Sequence, residues 1–223
     1  MAKRNYAELT PEILELSELC RKRGVIEPSL YAEHKVNRGL RDLNGKGVLT
    51  GLTEISEVCA KKIVDGEEYP CDGKLFYRGY DVEKLVAGRS FESHFGFEEV
   101  VYLLLFGELP TKMQLDDFSR LLASYRSLPN SFVRDIIMKA PSADMMNSLA
   151  RSVLTLYSYD NNPDDVSVDN VLRQCIQLIA MFPQLAVYGY QAYDYYLSDS
   201  NSFFIHEPLP ELSTAENILH MLR

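Results

Sequence analysis

Acid–base or metal chemistry in this chain would fall first to its four histidines, His34, His94, His206 and His220. Imidazole titrates near neutrality and ligates divalent metals, so its spacing is informative. None of the four stands in an HExxH pattern or beside a cysteine pair, so no metal site is expected. His94 follows Phe91-Glu92-Ser93 and precedes Phe95 in a loop, while His220 lies between Leu219 and Met221 in the last helix. With no base, orienting partner or ligand close in sequence, each reads as a packed or solvated residue. Cys20, Cys59, Cys71 and Cys175 form no CxxC pair, which argues against zinc, a redox motif and a disulfide framework. A reduced, cytoplasmic protein is expected.

Carboxylates occur as the adjacent pairs Glu67-Glu68, Glu98-Glu99, Asp116-Asp117 and Asp164-Asp165. Neighbours on a helix do not face each other, so these read as solvated edges and not as acid–base dyads. Tyr188, Tyr190, Tyr193, Tyr195 and Tyr196 suggest a binding platform or, more simply, an interface of packed rings with wet hydroxyls. No GxSxG, P-loop or GxGxxG is present, so no cofactor motif is seen, although a local basic patch could still bind an anionic, nucleotide-like cofactor. The formal charge of −9 repels phosphate backbones and anionic lipid, which disfavours nucleic acid as a partner. The most apolar stretch, Leu178 to Tyr190, contains Pro183 and falls short of the roughly 20 residues of a membrane span.

Helical signals dominate the elements that would carry these residues. Thr10-Pro11-Glu12 opens a helix that Gly24 closes, and the polar stretch from Asn37 to Gly47 reads as a linker or arm. Residues 1–48 are thus an N-terminal helix and arm, followed by one larger helical domain over 49–223. Between Thr53 and Tyr80, β-branched residues and turn residues predict a small hairpin and the chain's only β structure. Asp81 caps the next helix, and Phe97 to Phe106 forms an apolar one closed by Gly107. Thr111 caps another, Asn130 a short one ending near Pro141, and Ser142 a longer one to about Tyr159. Ser167 opens a helix to Leu197 whose stripe is Val171, Leu172, Cys175, Leu178, Ile179 and Phe182. Other apolar residues spill off that stripe, so the helix is expected to be covered on most sides, with Pro183 kinking or interrupting it. Ser213 and Glu216 have capping-box spacing, so a last helix starts at about Thr214, and no stop signal follows it before Arg223.

Four segments, in order, resemble citrate synthases. Leu75 to Val82 (LFYRGYDV) resembles the family's YRGYDI, and Phe97 to Thr111 (FEEVVYLLLFGELPT) is similar to FEEVAYLLLYGELPT. Phe182-Pro183 with Ala186-Val187-Tyr188 resembles a buried LP…AY helix, and Leu212 to Leu222 (LSTAENILHML) resembles LSYAENFLHML. Ala143-Asp144-Met145 departs from the family's usual His-Pro-Met. The resemblance implies an all-α fold, mainly helical, of the citrate-synthase large-domain type, with a small β-hairpin near residues 53–80. It implies a parent enzyme that condenses acetyl-CoA with oxaloacetate and water to citrate and CoA, in the tricarboxylic acid cycle, by acid–base and electrostatic catalysis without metal. Propionyl-CoA, giving 2-methylcitrate, is the alternative acyl donor. The family's catalytic histidines and aspartate belong to an HADHGGN-like segment and later ones, expected beyond Arg223, so no catalytic residue is assigned here and the chain reads as an N-terminal portion, inactive alone. A homodimer through helices near 142–159 and 167–197 is expected. A non-catalytic dimerisation or binding module is the competing reading.

Overall fold

In the computed structural model, residues 7–34, 36, 52–92, 95–198 and 204–223 are described. The expected arm over 37–47 and His94 lie outside them. The chain divides into two compact units, Leu19–Pro110 and the pair of segments Met1–Glu18 and Thr111–Arg223.

Helix α1, Pro11–Arg23, starts where Thr10 accepts a hydrogen bond from the Ile13 amide (3.4 Å) and ends as the Gly24 amide donates to Cys20 O (2.8 Å). Its first half counts with the larger unit and its last turn with the smaller. A short helix that the sequence did not announce, α2 (Pro28–Glu33), has proline in its first turn, where the missing amide is harmless.

The smaller unit holds the sheet. Strands β1 (Ser56–Val64), β2 (Glu67–Tyr77) and β3 (Tyr80–Asp81) pair antiparallel in that order. The expected hairpin is there, with one short strand added. Both connections are two-residue turns at positive φ, Asp65-Gly66 (52° and 83°) and Arg78-Gly79 (48° and 82°), the conformation that matches the twist of the flanking strands. Asp81 Oδ1 accepts the Glu83 amide (2.9 Å) and opens α3, Val82–Glu92. Helix α4, Phe97–Phe106, ends at Gly107, whose φ of 80° lets its amide reach Leu103 O. Arg78 donates twice to Leu104 O (3.1 and 3.3 Å), placing a cation where the helix carbonyls leave partial negative charge.

The larger unit is helical: α5 (Lys112–Tyr125), a π-helical turn (Val133–Ile137), α6 (Met145–Tyr157), α7 (Val168–Leu197) and α8 (Thr214–Met221). Capping boxes Thr111–Gln114 and Ser213–Glu216 open α5 and α8, and α8 closes at Leu222, whose amide donates to Ile218 O. Two expected starts move. Asp144, not Ser142, caps α6, because its carboxylate accepts the Asn147 amide (3.1 Å) while the Ser142 hydroxyl accepts from Asp144 N. Asn130 caps nothing regular, since Ser131 takes φ 63° and the chain winds directly into the π turn.

Pro183 does not interrupt α7, which runs 30 residues through it. Proline removes one backbone bond, at roughly 3 kcal/mol, but burial of Ile176, Ala180, Met181, Leu185 and Tyr188 on both sides outweighs that. Uninterrupted, α7 is long and apolar enough to cross a bilayer, yet 56% of its apolar window is buried inside the protein, as in a core helix. The buried stripe is also not the expected one. Apart from Leu172, the anticipated residues Val171, Cys175, Leu178, Ile179 and Phe182 are half-buried or exposed. The core face carries Asn170, Arg173, Gln177 and Gln184 among its apolar residues. Polar side chains occupy a core when they satisfy one another, and these largely do.

Candidate functional site

Arg173, 0% exposed, donates to Asp160 Oδ2 (2.6 Å), Asn170 Oδ1 (2.7 Å) and Gln177 Oε1 (3.0 Å). Asn170 in turn donates to Asn162 O and Asp165 O, and Gln174 to Asp160 Oδ2 and Pro163 O. The network straps the loop between α6 and α7 to the first turns of α7. Above it lies a cleft of ≈ 240 Å³, walled by Val153, Leu156, Leu178 and Met181 and edged by Tyr157, Tyr159, Asp160 and Gln174. That is below the roughly 300–1,000 Å³ of most small-molecule sites, and its polar groups Asp160, Gln174 and Gln177 are already engaged in the strap.

The sequence-nominated groups are dispersed. His34 is exposed after α2, whereas His206 and His220 come together, ring centroids 5.6 Å apart and both half-buried. The Tyr188 hydroxyl donates to His206 O (2.9 Å), and Gln191 Nε2 donates to Met221 O (2.8 Å). So Tyr188 is not a wet hydroxyl, while Tyr190, Tyr195 and Tyr196 are exposed. Asp116-Asp117 and Asp164 also face solvent, but Glu98 and Glu99 are 5% and 6% exposed, contrary to expectation. Both stand in the first turn of α4, where unpaired amides and the helix dipole favour negative charge, and each has a partner. Among the described residues, no group of three or more His, Cys, Asp or Glu side chains is placed to hold a metal.

This scaffold has clear relatives. The family model described as citrate synthase, C-terminal domain, matches residues 42–223. The chain belongs to the citrate synthase family. It is 33% identical over 195 residues to citrate synthase of Haloferax volcanii, covering 84% of this chain and 43% of that protein. It is also 33% identical over 154 residues to 2-methylcitrate synthase 1 of Corynebacterium glutamicum, covering 69% of this chain and 35% of that protein. Its fold is similar to the crystal structure of citrate synthase from Pyrobaculum aerophilum, with TM-score 0.61, 27% identity and coverage of 82% of this chain and 44% of that one. The chain therefore spans less than half the length of these citrate synthase relatives. The mainly helical fold with its small antiparallel sheet is the fold of the family. The Arg173 network, the α6–α7 cleft and the meeting of His206 with His220 escaped the sequence reading, since each depends on residues that only tertiary packing brings together.

Proposed function

We propose that the whole protein condenses acetyl-CoA with oxaloacetate and water, giving citrate and CoA, and that this chain supplies part of its helical scaffold. The observation that carries the reading is the 33% identity over 195 residues to a citrate synthase. Such a reaction needs a base for the methyl proton of the thioester, a donor to the enol oxygen and cations for the carboxylates, held in one water-poor cleft. The similarity to 2-methylcitrate synthase 1 favours a second reading, with propionyl-CoA as donor. The protein is proposed to act in the cytoplasm, with which its four free cysteines agree.

Thiol release from either acyl-CoA in the presence of oxaloacetate tests this, on the 223-residue chain and on the complete reading frame. The complete frame is expected to release CoA, faster from acetyl-CoA, and the chain alone to release none. Turnover by the chain alone would overturn the assignment of chemistry to other segments. Silence from both would leave a non-catalytic module.

We also propose a symmetric dimer through α6 and α7. Support comes from apolar residues that this chain leaves open on those helices: Met146 (73% exposed), Leu154 (74%), Val171 and Phe182. A two-fold contact would cover such a surface on both copies at once.

A further inference from the structure

We infer that His206 and His220 together bind a divalent transition-metal ion of the zinc, nickel or copper type. This goes beyond the condensation reaction and does not rest on it. Imidazole nitrogens bind such ions at about 2.0–2.1 Å, which puts each ring centre roughly 3.2 Å from the metal. Two rings sharing one ion at tetrahedral or somewhat wider angles then have centres about 5–6 Å apart. The observed separation is 5.6 Å, with the planes inclined by 54°.

Two further observations point the same way. Among the described residues neither imidazole makes a hydrogen bond or an ion pair, and neither is among the buried groups sealed from solvent, so their nitrogens stand open to an incoming ion. One shared ion would serve both rings. The rings are also pre-positioned. His206 is held through its carbonyl by the buried Tyr188, and the end of α8 beside His220 is held through Met221 O by Gln191. Tyr188 and Gln191 stand about one turn apart on α7, so a single rigid helix fixes both ligands. Between them, Arg126 and Asn217 bind the carbonyls of Leu209 and Leu212 and close the intervening loop. Pre-positioning of this kind spares the ion the work of ordering its own site. No third ligand of the usual types completes the set among the described residues, so water fills the remaining positions and the ion exchanges readily.

The test uses protein freed of metal with a chelator and titrated calorimetrically with Zn²⁺ and with Ni²⁺. One ion per chain is expected at this pair. His206→Gln and His220→Gln are each expected to weaken binding at least tenfold, since even the outer partners of a ligand contribute about that much. Cu²⁺ bound here should show nitrogen splitting from two imidazoles in its electron paramagnetic resonance spectrum. Bound metal should raise the unfolding temperature of the wild type and not that of the double variant, because only the folded state holds both rings together. Should the variants fail to fold, protection of His206 and His220 from diethyl pyrocarbonate by Ni²⁺ in the wild type gives the answer without them. No binding by the wild type, undiminished binding by the double variant, or no protection overturns the site. None of these readouts involves turnover, so the fate of the citrate reading is decided separately.

Discussion

Arg173 is a cation with no access to water, and its neighbours determine whether that is tolerable. Asp160 is in ion-pair contact with it at 2.6 Å, and the pair behaves as a buried one despite the 11% exposure of the aspartate. Removing one member of such a pair leaves a charge that nothing compensates, a loss of roughly 3–5 kcal/mol. Asp160→Asn is expected to lower stability by that order at neutral pH, measured by urea unfolding. Burial pushes the Asp160 carboxyl up, but hydrogen bonds from Arg173, the Asn162 amide and Gln174 outweigh it and hold the group below its ordinary 3.8. A carboxylate with a depressed folded pKa contributes fully above its unfolded pKa and loses that contribution as pH falls through the folded one. Wild type and variant should therefore differ most above pH 3.8 and converge below it. A gap that persists unchanged in acid would show that the carboxylate's charge is not what matters. Asp135 is held at about 2 by its bond to Arg134, yet lies at the surface and should matter little.

Among the helices, what could be read in advance is what depends on neighbours in sequence. Thr111 with Gln114, Ser213 with Glu216, Asp81 and Gly107 all act within a few residues, so the ends of α5, α8, α3 and α4 were legible. The face of α7 was not. Counting apolar residues at helical spacing scores Arg173 and Gln177 as surface, because their partners lie on a loop and on adjacent turns that a one-dimensional pattern does not weigh. His206 and His220 were likewise judged one at a time, although packing onto α7 is what joins them. The contact of α6 with α7 has its own hidden determinant. A Cβ on Gly189 would stand 3.2 Å from Ser148 Oγ and 3.3 Å from Met145 Cε, so the two backbones approach because this position has no side chain. Gly189→Ala should be close to neutral, as a hydroxyl and a thioether methyl shift slightly while helix propensity returns about 1 kcal/mol. Gly189→Leu cannot be absorbed that way and should lose about 1–3 kcal/mol in thermal or urea unfolding. Equal stability of the leucine variant would mean the helices have room to part.

For the molecule as a whole, the open apolar residues of α6 and α7 make association the decisive property. Light scattering is expected to report a dimer, and Ile179→Asp to dissociate or unfold it, since the new charge would be buried without a partner. A soluble monomer in the wild type would refute the dimer and leave the family assignment intact. One contact inside the larger unit bears on how the protein is made. The Ser17 hydroxyl donates to Asp169, 152 residues later, and Ile13, one turn before, is fully enclosed. A ribosome adding 5–20 residues per second needs roughly 8–30 s to travel that distance. For that interval the apolar side of α1 has no native surface to rest on, so nascent chains should be most prone to capture by chaperones, or by one another, until the start of α7 emerges.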